Sequence, residues 1–199
     1  MNTPTTTRPY RQRARAEAAR ATHTRIMDAL VALVMERGTT AVPLADVAAR
    51  AGVTVPTVLR HFGSRDGLFE ETFAYALDVI LTDREAPVGD PAAAVDVVVD
   101  HYEARGHGML TLLAHEAQDA GVARITAEGR AQHRAWVQAT FAPFLAPLPA
   151  PDAEALTDLL VVATDLQTWA LLRRDRGLPR DTTAARMLAL VRAVLAKGT

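Results

Sequence analysis

The stretch Val42–Phe62, VPLADVAARAGVTVPTVLRHF, decides the fold. Leu44, Val47, Ala48 and Ala51 recur at the i, i+3, i+4, i+7 spacing of one apolar stripe, which predicts a helix from Leu44 to Ala51. Gly52 stands just past the last periodic residue, where a left-handed backbone ends a helix and turns the chain, and Val53 can anchor that turn. Thr54 then reads as an N-cap. Pro56 sits in the first turn of a second helix, from Val55 to about His61, where a missing N–H costs nothing. Two short helices joined by so few residues must cross steeply rather than lie antiparallel. Small Ala48 and Gly52 permit the close crossing, while Val47, Val53 and Val58 line its inner side.

Ala48, Gly52 and Val58 give a small residue, a glycine four on, and a β-branched apolar residue six further, which resembles the helix-turn-helix pattern of DNA-binding proteins. The longer run GVTVPTVLRHFGSRDGLF resembles the tetracycline-repressor (TetR) family more specifically. There, a glycine-valine-Ser/Thr turn, a recognition helix, a His-Phe pair and a Ser-Lys/Arg-acidic-x-Leu segment follow in that order. The resemblance implies an all-α fold of about nine helices. An N-terminal three-helix DNA-binding domain with a helix-turn-helix would precede a C-terminal helical ligand-binding and dimerisation domain.

Composition agrees with a helical, cysteine-free protein. Of 199 residues, 49% are hydrophobic and only 5% aromatic, with alanine and leucine dominating, a bias that favours helix. With no cysteine, neither a disulfide framework nor a thiolate zinc site is possible, which suits a reducing compartment. The N-terminus is polar and arginine-rich, without the apolar core of a signal peptide, and no run of 18 apolar residues occurs. The expectation is a soluble, cytoplasmic protein with no membrane partner.

The net charge of −1 conceals an asymmetry. Residues 1–65 hold ten arginines against four acids, a balance of +6, and the remainder holds twelve Lys/Arg against nineteen Asp/Glu, a balance of −7. A basic head on an acidic body is the charge pattern of a polyanion-binding module attached to a part that does not bind.

Outward from the central stretch, three segments are expected: a basic arm (1–21), the helix-turn-helix domain with its connecting helix (22–84), and the helical ligand-binding and dimerisation domain (85–199). In the arm, Arg8, Arg11, Arg13 and Arg15 could track phosphates or enter the minor groove. Helix compatibility begins only at Gln12, and the first secure helix spans Thr22–Arg37, with Ile26, Ala29, Leu30, Leu33 and Val34 on one face and Gly38 at its end. After Phe62, Ser64 can cap a helix carrying Leu68, Phe69, Phe73, Ala76, Leu77 and Ile80. Arg65 in its first turn opposes the helix dipole, a sign that a phosphate ligand would reverse, so this terminus is a candidate backbone clamp. EAPVGDP, residues 85–91, then breaks the pattern.

The remainder reads as helices: Ala92 to about Arg105, a break at RGHG, Met109–Ala120, Val122 to about Phe144, a hard stop at PLPAPD, then Asp152–Arg176 and a last helix opened by Asp181. That last helix carries Ala185, Leu188, Val191, Val194 and Leu195. Apolar residues cover more than half the circumference of Asp152–Arg176, which implies burial on two sides. One side is the domain core. The other suits the same helix pair of a second copy, and the family resemblance points the same way.

What the resemblance implies for recognition is carried over residue by residue. Val55, Pro56 and Thr57 would meet base edges, with Arg60 and His61 flanking them, and Thr54, Leu59 and Arg65 complete the expected DNA-binding set. Thr57 can hydrogen-bond a base or touch a thymine methyl, and Arg60 alone suits a bidentate guanine contact, though it could equally grip phosphate. Three positions depart from the family pattern: Leu59 replaces a usual tyrosine, Pro43 replaces a Thr/Ser cap, and Ala45 stands where some members have arginine. The first two departures each remove a backbone contact, and together the three imply weaker DNA binding from this motif alone, for which the arginine-rich arm could compensate.

In the second domain Tyr102, His133, Trp136 and Trp169 are the expected lining of a site for a small, mostly apolar effector, since such sites pair apolar walls with a few directed polar groups. Ordinary core packing is the competing reading for each. An enzyme is not expected: G-x-S-x-G, P-loop, H-E-x-x-H and glycine-rich dinucleotide motifs are all missing, and His101, His107, His115 and His133 lack metal-ligand spacing on one helix. No cofactor is expected. The expected function is a repressor that binds an inverted-repeat operator in double-stranded DNA as a homodimer and is released by a small-molecule effector. The alternative is a helical partner-binding protein with a vestigial helix-turn-helix.

Overall fold

The computed structural model describes residues 7–196, with side chains from Gln12 onward. Among the described residues every regular element is helical. In chain order these are α1 (Thr7–Arg37), α2 (Leu44–Ala51), α3 (Val55–Phe62), α4 (Arg65–Asp83), α5 (Pro91–His115), α6 (Ala120–Thr140), the single turn α7 (Ala142–Leu145), α8 (Ala150–Ala163), α9 (Leu166–Ala170) and α10 (Arg180–Leu195). A π-helical turn, Leu171–Asp175, continues α9. Apart from the four-residue α7, nine α-helices remain among the described residues, the number expected.

The chain falls into two compact units, residues 1–78 and 79–199, with the seam inside α4. In the first, α1 packs on α2 and α2 on α3. Ile26, Leu30, Val42, Val47, Val58 and Leu68 are essentially inaccessible and form its centre. Two ion pairs fasten α1 to α2: Arg37 to Asp46 at 2.6 Å, and Arg50 to both carboxylate oxygens of Glu36. Within the same unit Tyr75 donates to Asp28 at 2.8 Å and His23 meets Glu71 at 2.9 Å, so α1 also holds the first half of α4. Helix α1 begins fifteen residues before the expected Thr22. Its extension has no apolar face, and residues 12–21 are all exposed, so alanine- and arginine-rich helix propensity is what supports it.

The second unit is built around Val95, Val98, Val99 and Tyr102 of α5, Val137 of α6, Phe141, Leu160 of α8, Trp169 of α9 and Met187 and Val191 of α10. Three expectations are corrected here. The break at RGHG does not exist, because α5 runs unbroken through Gly106 and Gly108. Gly106 is buried against Trp169, where an added Cβ would lie 2.6 Å from Cζ3, so this glycine serves close packing rather than a turn. The single helix Asp152–Arg176 is in fact interrupted at Thr164–Asp165. In α10 the buried positions are Thr183, Ala184, Met187 and Val191, whereas Ala185 faces outward. Arg180 braces α10 on α5 through Asp100 at 2.6 Å and Asp96 at 3.1 Å.

Taken as one segment, Ala150–Asp175 is long and apolar enough by composition to cross a membrane, with a mean hydropathy of 1.3. Its apolar residues divide between the core and an outward face. Leu156, Leu160 and Trp169 are buried, while Leu159, Val162 and Leu171 are 51%, 63% and 57% exposed.

Candidate nucleic-acid interface and a buried polar cluster

The turn between α2 and α3 forms as its residues dictate. Gly52 adopts φ 66° and ψ 37°, its N–H reaches Ala49 O at 3.2 Å, and Val53 N–H reaches Ala48 O at 2.9 Å. These bonds close the end of α2 in a left-handed cap, a conformation that costs a β-carbon-bearing residue about 1 kcal/mol or more. Thr54 holds the extended N-cap position of α3, but its hydroxyl pairs with that of Thr57 at 3.0 Å instead of capping a backbone N–H. That corrects the expected cap, and it places two hydroxyls side by side at the head of α3.

Helix α3 is amphipathic to a degree that fixes its orientation. Val58 and Phe62 are buried, while Thr54, Pro56, Leu59 and Arg60 are exposed and Val55, Thr57 and His61 are half-buried. The residues expected to read bases and flank them thus share the accessible surface of α3. Arg60 has no ion pair among the described residues, in contrast to Arg37 and Arg50, which are spent inside the fold. His61 lies edge-on to His23 at 5.7 Å, and partial burial, with repulsion from His23 and Arg60, holds its imidazole below the ordinary pKa.

Ser64 caps α4 as expected, accepting from Gly67 N–H at 3.0 Å. Arg65, however, is partly engaged: it donates to Thr40 O at 2.7 Å and lies 4.4 Å over the Phe69 ring. It remains exposed, so a phosphate would share this guanidinium with the carbonyl. On α1, Arg13, Arg15 and Arg20 are exposed and form no ion pair among the described residues. The side chains of Arg8 and Arg11, the other two arm arginines, lie outside the described residues. Pro43, which precedes α2 without a side-chain cap, and Ala45 are exposed and Leu59 is 38% exposed, so all three departures from the family pattern fall on accessible positions.

In the second unit two of the four expected effector residues, His133 and Trp136, contact a residue that sequence reading missed, and a third, Tyr102, joins them through Thr164. Arg84, the residue after α4, is 5% exposed and donates from Nη2 to His133 Nδ1 at 2.6 Å. Because a guanidinium can only donate, Nδ1 must be the acceptor and Nε2 must carry the proton. Nε2 faces Thr164 Oγ1 at 3.2 Å and Val161 O at 3.4 Å. Thr164 in turn donates to Leu160 O at 2.7 Å, and Tyr102 donates to Thr164 O at 3.1 Å. The α8–α9 interruption is therefore held by long-range bonds from α5 and α6. Trp136 donates to Arg84 O at 2.7 Å, lies 4.6 Å beneath its guanidinium, and stacks on His133 at 5.8 Å. Trp169 stands one layer out: it packs on Tyr102 at 5.9 Å and bonds Glu103 at 3.0 Å.

Burial dominates the electrostatics of this cluster. It lowers the Arg84 pKa and raises that of Tyr102. Burial, followed by repulsion from Arg84, pushes His133 down to about 3 and His101 down to about 4, so both imidazoles are neutral at physiological pH. A separate open depression of about 450 Å³, lined by His107, Leu110, Thr111, Leu113, His115, Gln167 and Arg174 among others, includes none of the four expected residues.

Comparison with known proteins agrees with this geometry. Residues 26–72, from the middle of α1 into α4, match the family described as bacterial regulatory proteins, tetR family. The chain is 34% identical over 177 residues to the HTH-type transcriptional regulator AlkX of Mycobacterium tuberculosis (strain ATCC 25618 / H37Rv), a match covering 87% of this chain and 81% of that protein. Two solved structures share the fold. A transcriptional regulator from Rhodococcus sp. Rha1 superposes with a TM-score of 0.62 at 23% identity, and a TetR-like transcriptional regulator from Rhodococcus sp. RHA1 with 0.59 at 20% identity. Each alignment covers 88% of this chain and 96% of the other. The helix-turn-helix with its accessible α3 surface, carried by an all-helical chain of this pattern and relatedness, places the protein in the TetR family of DNA-binding transcriptional regulators, which are not enzymes.

Proposed function

We propose that the protein is a homodimeric, cytoplasmic repressor that binds an inverted-repeat operator and is released by a small-molecule effector. The observation that carries the DNA half of this reading is the accessible surface of α3, where Thr54, Pro56, Leu59 and Arg60 stand clear while Val58 and Phe62 anchor the helix from behind. Val55, Thr57 and His61 complete the base-facing and flanking set, Arg65 touches phosphate, and residues 1–21 act as a basic arm. Residues 22–84 form the reading head. Residues 85–199 form the dimerisation and effector-binding part.

The dimer is supported by the outward apolar residues of two helices that pack on each other. On α8 these are Leu159 and Val162, 51% and 63% exposed, and on α10 Leu190, 46% exposed. Leu171 of the π turn is 57% exposed. Several large apolar side chains exposed on two adjacent helices suit an interface, and a second copy of the same two helices would bury them about a two-fold axis. Two reading heads on such an axis would meet successive major grooves about 34–36 Å apart. The effector half is supported by the convergence of Tyr102, His133 and Trp136. To release DNA, a ligand must bind the DNA-incompetent conformation more tightly than the competent one.

The test is a stoichiometric titration of labelled duplex, taken from the promoter region beside the gene, followed at several salt concentrations. The reading predicts two protomers per site and an affinity that falls steeply with salt. One protomer per duplex, or salt-independent binding, would overturn it.

A further inference from the structure

The second unit buries a cation that its own residues do not neutralise. Arg84 is 5% exposed, yet among the described residues no carboxylate lies within ion-pair distance of it, and its Nε has no hydrogen-bond partner. The two nearby acids are committed elsewhere: Asp165 caps α9 through Gln167 N–H at 2.7 Å, and Asp83 pairs with Arg105 at 2.5 Å. Beside it His101, 4% exposed, leaves both ring nitrogens without partners. Buried arginines are almost always paired, and buried imidazole nitrogens almost always bonded. Here one positive charge with an idle guanidinium N–H, stacked on Trp136, and one idle imidazole, edge-on to Tyr102, are buried in the same helical unit.

We infer that this cluster is the head-group site for an organic monocarboxylate with an apolar body, in which Arg84 supplies the counter-charge and His101 a neutral donor. The inference rests on the effector reading above and deepens it by giving the ligand class. A carboxylate matches the planar fork of a guanidinium, and its single charge matches the single unpaired cation. Neutral His101 adds a donor without adding charge, whereas both ring nitrogens of His133 are already engaged, so a dianion would remain uncompensated. Arg84 also directly follows the last turn of α4, the helix that starts at Arg65 just after α3. Drawing Arg84 onto an anion therefore acts directly on the end of that helix.

The chain has only two tryptophans, Trp136 and Trp169, one against Arg84 and the other against Tyr102, so intrinsic fluorescence reports on the cluster. The full-length protein is titrated with acetate, benzoate and decanoate, and in parallel with 1-decanol and methyl decanoate. Decanoate should give a saturable change with at least tenfold tighter binding than its two uncharged counterparts. Arg84→Met should erase that preference while leaving the weaker binding of 1-decanol in place, because it removes the counter-charge and not the apolar contacts. Equal binding of decanoate and 1-decanol, or no saturable response to any of the three carboxylates, overturns the inference. So does an Arg84→Met protein that keeps its preference. Operator release separates this from the effector reading. Arg84-dependent decanoate binding without release would leave the anion site standing and remove the effector role. Release by 1-decanol as readily as by decanoate would do the reverse.

Discussion

Replacing Gly106 by alanine sets two opposed effects against each other. In the interior of a helix such as α5, alanine is favoured over glycine by about 0.8–1 kcal/mol. At this position the new Cβ would lie 2.6 Å from Trp169 Cζ3 and 2.8 Å from Cη2, closer than real side chains approach. The indole cannot simply withdraw, since it is 7% exposed, packs on Tyr102 and is tied to Glu103. Overpacking a filled core costs about 1–3 kcal/mol, so after the helix gain the net effect should be a loss of up to roughly 2 kcal/mol. For a chain of this length that lowers the melting temperature by about 2–4 °C for each kcal/mol. The decisive assay is urea denaturation of Gly106→Ala in the wild type and in a Trp169→Leu background, where the clashing ring atoms are gone. There the same substitution should stabilise by up to about 1 kcal/mol, giving a coupling energy near 2 kcal/mol or more. A Gly106→Ala protein more stable than wild type, or an equal cost in both backgrounds, would refute the assignment of this glycine to close packing.

Other outcomes follow from the same structure. Because burial depresses His133 to about 3 and His101 to about 4, the unfolded chain takes up protons first as pH falls below about 6.5. Stability from these two residues is complete above pH 6.5 and drains away toward pH 3–4, by up to about 1.4 kcal/mol per histidine for each pH unit. Denaturation midpoints measured from pH 7 to 4 should fall less steeply for His101→Phe, and an unchanged slope would sink this explanation. Placing aspartate at both Leu159 and Val162 should convert a dimer into a folded monomer, read by light scattering behind size exclusion; a dimer that survives would move the interface elsewhere. Deleting residues 1–15 should weaken duplex binding at least tenfold and reduce the salt slope by about 0.9 for each phosphate that the arm no longer neutralises. An unchanged slope would show that the arm does not touch the backbone.

How far the sequence can be read depends on the range of the forces involved. The α2–α3 motif is legible because its determinants are local: a 3.6-residue apolar period, Gly52 in the left-handed region, and Pro56 in a first turn. The same holds for Ser64 capping α4. The misreadings share a long-range cause. Gly106 and Gly108 resemble a break, and only the indole of Trp169, more than sixty residues away, explains a helix running through them. Nothing local marks Thr164–Asp165 as a break, because it is held by Tyr102 from α5 and His133 from α6. Thr54 reads as a cap by type, yet its hydroxyl finds Thr57 nearer than a backbone N–H.

Arg84 escapes sequence reading because it adjoins the linker EAPVGDP, where a charged residue ordinarily faces water. A lone arginine beside a proline-containing segment gives no hint of burial. The residues that surround it, Tyr102, His133 and Trp136, are identifiable as polar-tipped rings on apolar helix faces, the signal that a sequence can carry. The start of α1 escapes for the opposite reason. The arginine-rich segment has no apolar face, so periodicity is silent and only propensity speaks.

The central claim is that α3 of two symmetry-related protomers reads DNA. Its most direct test is selection of random duplexes by the purified full-length protein, with the bound pool sequenced. The account predicts an inverted repeat whose half-site centres lie about one helical turn apart, or a small extension of that spacing, with enrichment lost on Arg60→Ala. A pool with no enriched motif, an asymmetric single site, or a palindrome indifferent to Arg60 would contradict it.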